Sequence, residues 1–176
     1  MGVASHGTNQ ASIAINGSTP AAVGGSRLSL QCEPIGPDTT TIRSLDWDRS
    51  RFDIEFGLRN GTTYNSFLVR GERTALIDTS HLKFASTWLP LLQEQIDPKS
   101  IDHLIVSHTE PDHSGLIGHL LDLNPELEIV ASKVAIAYLA DQLHRPFKSR
   151  AVKSGEQLDL GPGSWLHMAP DAPHSL

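Results

Sequence analysis

The stretch VSHTEPDHSG (residues 106–115) sets two histidines, a glutamate and an aspartate within six consecutive positions, from His108 to His113. It follows IDHLIVS (101–107), an apolar run with the look of a buried strand, and leads into GLIGHLLDL (115–123), which reads as a short helix. In open α/β sheets, functional groups gather in loops at the carboxyl ends of strands, and this loop occupies such a place. If the loop is extended, His108, Glu110 and Asp112 share one side and His113 turns in where the chain bends. One metal ion could then take His108 and Glu110, while a second, ~4 Å away, takes Asp112 and His113. The plain alternative is a capping loop with solvated histidines, which would account for any two of these residues but not for four at this spacing. Half of the four candidate ligands are carboxylates, which shifts the preferred metal from zinc toward iron or manganese. Pro111 stiffens the loop and Gly115 permits a tight turn.

Working outward, the flanking patterns define a mixed architecture. RFDIEFG (51–57) alternates apolar and charged residues as a half-buried strand does. Asn60-Gly61 is a turn signal, YNSFLVR (64–70) a strand, GER (71–73) a tight turn and TALIDT (74–79) another strand. The rhythm then becomes helical in FASTWLPLLQEQI (84–96), where Pro90 implies a start near Ser86 or a kink. Beyond the ligand loop come LEIVAS (127–132) as a strand and KVAIAYLADQLH (133–144) as a helix. EQLDLG (156–161) and SWLHMA (164–169) read as two further strands. Hairpin-linked strands followed by β-α-β-α-β predict a mixed sheet layered against helices. Residues 1–38, rich in Gly, Ala, Ser, Thr and Pro, read as a mobile leader.

Composition limits the possible roles. A chain of 176 residues suits one domain with a real core. A formal net charge of −6 argues against nucleic acid or an anionic membrane as partner. No apolar run approaches the ~20 residues that span a bilayer. The amino terminus has no basic start and apolar segment of a secretory signal, so the expected location is the cytoplasm. The single cysteine, Cys32, excludes an internal disulfide. His81, His103, His119, His144 and His167 have no ligand cluster beside them in sequence, and Trp47, Trp88 and Trp165 are spaced for packing.

With these residues in view, the chain resembles a known family. SHTEPDHSG (107–115) is similar to the His-x-Glu-x-Asp-His motif of flavodiiron proteins, a branch of the metallo-β-lactamase-like fold. Hydrolases of that fold carry a second histidine where this chain has Glu110. ALIDTS (75–80) resembles the early aspartate motif of the fold, which implies that Asp78 supports the metals from behind. The likeness, to the cyanobacterial and phototroph branch, extends over roughly residues 39–170. It implies an α+β protein, an αββα sandwich with mixed sheets. It also implies two irons per site, His108 and Glu110 binding one, Asp112 and His113 the other. The family's next ligand histidine aligns with Pro173 here, and the neighbouring His174 is the candidate to replace it.

The implied activity is reduction of O₂ to water, or of NO in some members, with electrons from NAD(P)H passed through FMN. In the family, FMN reaches the iron from a flavin domain of the same or a partner subunit, in a homo- or heterodimer. The family's flavodoxin-like and flavin reductase domains, its bridging aspartate and its last histidine do not occur within these 176 residues. Residues 39–176 are therefore expected to be an incomplete di-iron domain that binds no FMN and is inactive with NAD(P)H alone. Two other readings stay open: a zinc-dependent hydrolase of the same fold, and a degenerate, non-catalytic partner subunit.

Overall fold

The computed structural model describes residues 27–52, 56–162 and 164–168. Its centre is a seven-stranded sheet. Strands β1 (Leu28–Gly36), β2 (Thr39–Asp46), β5 (Thr62–Val69) and β6 (Ala75–Ile77) pair antiparallel with one another in that order. From β6 onward the sheet turns parallel through β7 (His103–Ile105), β8 (Glu128–Ala131) and β9 (Ser149–Ala151), giving the order β1-β2-β5-β6-β7-β8-β9. Two small ribbons stand apart. One pairs β3 (Arg51–Phe52) with β4 (Phe56–Gly57), the other β10 (Gln157–Asp159) with β11 (Trp165–His167).

Period-two alternation assigns the two faces of the sheet. Ile42 of β2 and Tyr64 and Leu68 of β5 turn to the side covered by α1 (Ala85–Gln95), α3 (Ile117–Leu123) and α4 (Lys133–Leu143). There they join Trp88, Leu92, Leu104, Leu120, Ile129 and Leu139 in the main core. Ala75, Ile105 and Val130 turn to the opposite side, beneath Leu158, Leu160 and Met168 of the β10–β11 hairpin. Because β6, β7 and β8 are covered on both faces, their sequences are short, nearly continuous apolar runs. Among the described residues no helix is long and apolar enough to cross a membrane.

Several sequence expectations need correction. The segment 28–36, read as part of a mobile leader, is the edge strand β1, paired along its length with β2. An edge strand with one half-exposed face needs little hydrophobic alternation, so composition alone hides it. The rest of the expected leader, residues 1–26, lies outside the described residues. The expected strand 51–57 is two two-residue strands in antiparallel register, Phe52 opposite Phe56. Strand β9 was not anticipated; its three residues are all exposed and carry no apolar signal. The helix start expected near Ser86 holds: α1 begins at Ala85 and carries Pro90 inside it.

Candidate metal centre

The parallel register aligns Ile77 of β6 with Ile105 of β7, so both strands deliver their next residues to one edge of the sheet. From β6 come Asp78 and Thr79, and from β7 come Ser107 and His108. Asp78 adopts a left-handed backbone, φ 55°, a conformation that strains most side chains but that Asp tolerates better. That turn aims its carboxylate across to the neighbouring loop. Oδ1 accepts the Ser107 N–H at 2.8 Å, and Oδ2 accepts the Ser107 hydroxyl and stands 2.9 Å from His113 Nδ1. A carboxylate can only accept here, so Nδ1 carries a proton, and in the neutral ring His113 Nε2 then holds the free electron pair.

The ligand loop is not extended. Its second half is a helical turn, α2 (Pro111–Ser114), entered with Pro111 in the first turn. The Glu110 carbonyl accepts the N–H groups of His113 and Ser114, both at 2.9 Å, which winds Asp112 and His113 into the turn. Ser114 Oγ adds bonds back to the carbonyls of Thr109 and Glu110. The spacing of the four candidate ligands is thus set by a turn, which separates them into two pairs rather than one row.

His108 Nε2 stands 3.1 Å from Glu110 Oε1, and His113 Nε2 stands 3.9 Å from Asp112 Oδ2. Two ligand atoms each ~2.1 Å from one ion at a right angle lie ~3 Å apart, so the first pair matches two ligands of a single ion. The second pair suits a wider angle at another ion. The two imidazoles meet edge to face, ring centres 5.4 Å apart, which places the pairs side by side. Among the described residues no three His, Cys, Asp or Glu side chains form one metal-holding group. The loop offers two half-sites. His174 lies outside the described residues.

The electrostatics agree with a site built around positive charge. The hydrogen bond to Asp78 holds the His113 imidazole above its ordinary range, against the opposing effect of burial. The charges of Asp78, Asp112 and Glu110 add to the upward shift. A ring held in favour of its proton marks a locally negative field, the kind that also attracts a dication. Donor set, spacing and field therefore fit a pair of hard divalent ions.

Residues near the loop complete its support. Gly115 runs so close to the chain at 80–82 that a side chain there would meet Leu82 N at 2.9 Å, besides the Pro111 carbonyl. His81, expected to stand apart, caps the turn Leu82–Phe84 and stacks on Tyr64 at 6.2 Å. Burial, with the nearby Lys83 and Arg49, holds its imidazole below the ordinary range. Buried Asp46 accepts bonds from Tyr64 Oη at 2.8 Å and from Lys83 Nζ, fastening the 80–84 segment to β2. Sequence reasoning missed Thr79, whose only signal is its place after the strand-end aspartate. His119 and His144 are exposed and take no part.

Comparison with known proteins gives a consistent answer. The sequence matches the metallo-beta-lactamase superfamily over residues 59–175. It is 60% identical over 137 residues to diflavin flavoprotein A 1 of Synechocystis sp. PCC 6803, covering 78% of this chain and 24% of that protein. The chain spans about a quarter of the length of the curated relatives it matches. Among solved structures, the metal-soaked flavodiiron core of Flv1 from Synechocystis sp. PCC6803 superposes with a TM-score of 0.73 and 33% identity. That match covers 78% of this chain and 35% of that one. Rubredoxin oxygen:oxidoreductase from Desulfovibrio gigas gives 0.69 and 31%, covering 74% and 33%.

Proposed function

This chain belongs to the metallo-beta-lactamase superfamily, and on that premise we propose that it is the di-iron domain of a flavodiiron oxidoreductase. The observation that carries the reading is the Asp78–His113 bond, which presents Nε2 toward Asp112 beside the separate His108–Glu110 pair. The names of its relatives, a diflavin flavoprotein and a flavodiiron core, support iron as the metal. We assign His108 and Glu110 to one iron, Asp112 and His113 to the second, and His174 as a further ligand. The acceptor proposed is O₂, reduced to water in the cytoplasm. The electrons come from NAD(P)H through the FMN of a flavin domain in the same or a partner subunit.

Iron, when bound, supplies the redox chemistry by which oxygen takes up electrons. The chain's own residues hold and tune it. Glu110 and Asp112 neutralise charge that two imidazoles alone could not. Asp78 keeps the Nδ1 proton in place, which fixes the tautomer and raises the basicity of Nε2. The α2 turn holds both pairs on a short, internally bonded segment, so little ordering remains for the metal to impose.

The test uses protein loaded anaerobically with ferrous iron, reduced chemically and mixed with air-saturated buffer. The ferrous chain is expected to consume oxygen, Glu110→Ala and His113→Ala to lose most of that consumption, and NAD(P)H alone to drive none. Esterase activity with zinc and no oxygen consumption with iron would favour the hydrolase instead.

A further inference from the structure

We propose that Thr79 is a positioning residue for the Asp112–His113 metal position and not for the His108–Glu110 position, an inference that rests on the two-ion reading of the loop. Thr79 is fully buried, and every polar group it owns is engaged. Its N–H and its Oγ1 hydroxyl both donate to one acceptor, the His113 carbonyl, each at 2.7 Å. Its Oγ1 also accepts the Leu116 N–H at 3.2 Å, which ties it to the start of α3. Its own carbonyl accepts the Ser66 hydroxyl of β5 at 2.9 Å. Thr79 is thus a rigid bridge from the sheet to the main chain of one ligand.

The preceding residue, Asp78, grips the ring of that same ligand. Two consecutive residues at the end of β6 therefore fix His113 at both ends, backbone and imidazole, leaving it little freedom to swing. Among the described residues the bonds of Thr79 go to His113, Leu116 and Ser66, whereas His108 is carried beyond the end of β7. Loss of the Thr79 hydroxyl should loosen one half of the loop and spare the other. A general structural role would weaken both halves alike.

Thr79→Val removes the hydroxyl while keeping the branched shape, and Thr79→Ser restores it. In calorimetric titration with ferrous or cobaltous ion, Thr79→Val is expected to weaken one of the two equivalents roughly 10–100-fold and leave the other within about twofold. Thr79→Ser should recover the wild-type isotherm. In metal-free protein, NMR gives an independent readout. The His113 Nδ1–H resonance should broaden or vanish in Thr79→Val, with the His108 ring signals unmoved. Should Thr79→Val fold poorly, Ser66→Ala, which frees the Thr79 carbonyl, should shift both readouts the same way by a smaller amount.

Equal weakening of both equivalents, or an unchanged His113 resonance and isotherm, would overturn the proposal. If wild-type protein takes up no metal, the proposed function fails, and the positioning of His113 by Thr79 is decided by the resonance alone.

Discussion

At the residue scale, Asp78 is the side chain on which most of the site depends. It satisfies the Ser107 amide, the Ser107 hydroxyl and the His113 ring with two oxygens. Asp78→Ala leaves those partly buried donors without an acceptor, at a cost of about 1–3 kcal/mol. Thermal melts of the metal-free protein should show a drop of several degrees. Asp46 is the second such residue. Burial pushes its carboxyl up, but the bonds from Lys83 and Tyr64 outweigh that and hold it below its ordinary 3.8. A depressed carboxyl contributes stability that is present above the unfolded value and lost as pH falls through the folded one. Lys83→Met should therefore destabilise the protein at neutral pH and flatten the acid limb of its stability curve below about pH 4. Denaturant midpoints across that range would check it.

These residues were unequally legible. The four candidate loop ligands stand out because four ligand-type side chains in six positions need a reason. Asp78 became visible only through the resemblance. Thr79 and the Asp46–Lys83–Tyr64 group were invisible, since their meaning lies in contacts between segments 13 to 37 residues apart.

At the element scale, the strands with both faces covered were easy to read, and the half-exposed ones were not. ALI, HLI and EIVA are apolar because sheet and helices bury them twice. Strand β1 at one edge and β9 at the other carry no such pressure. The α2 turn was read as extended because proline and a ligand-rich sequence resemble a loop; Pro111 instead starts a helix, where its missing N–H costs nothing. Pro90 is the opposite case. Inside α1 it deprives the exposed Ser86 carbonyl of its donor, and Pro costs ~3 kcal/mol relative to Ala at such a position. Pro90→Ala should raise the melting temperature by several degrees without changing metal uptake, as calorimetry would show.

On the scale of the whole molecule, the sheet separates two chemistries. The candidate metal loop stands at the carboxyl ends of β6 and β7, while His103 is buried at the other end of β7. Its Nδ1 is 3.0 Å from Glu128 Oε2, yet neither ring nitrogen makes an aligned hydrogen bond. Burial, more than the opposing Glu128 and Asp102 charges, lowers its imidazole below the ordinary 6.5. The fold thus favours neutral His103, a contribution present above about pH 6.5 and lost as pH falls through the folded value. The His103 contribution should decline from pH 7 to 5, so His103→Gln should lose less stability than the wild type over that range, as denaturant midpoints would show.

The two-ion reading is tested by anaerobic titration of the metal-free chain with ferrous iron, counting bound iron by elemental analysis. Two irons per chain are expected, falling to one or fewer in Glu110→Ala and in His113→Ala. Zinc retained in preference to iron, or iron content unchanged by both substitutions, would contradict it.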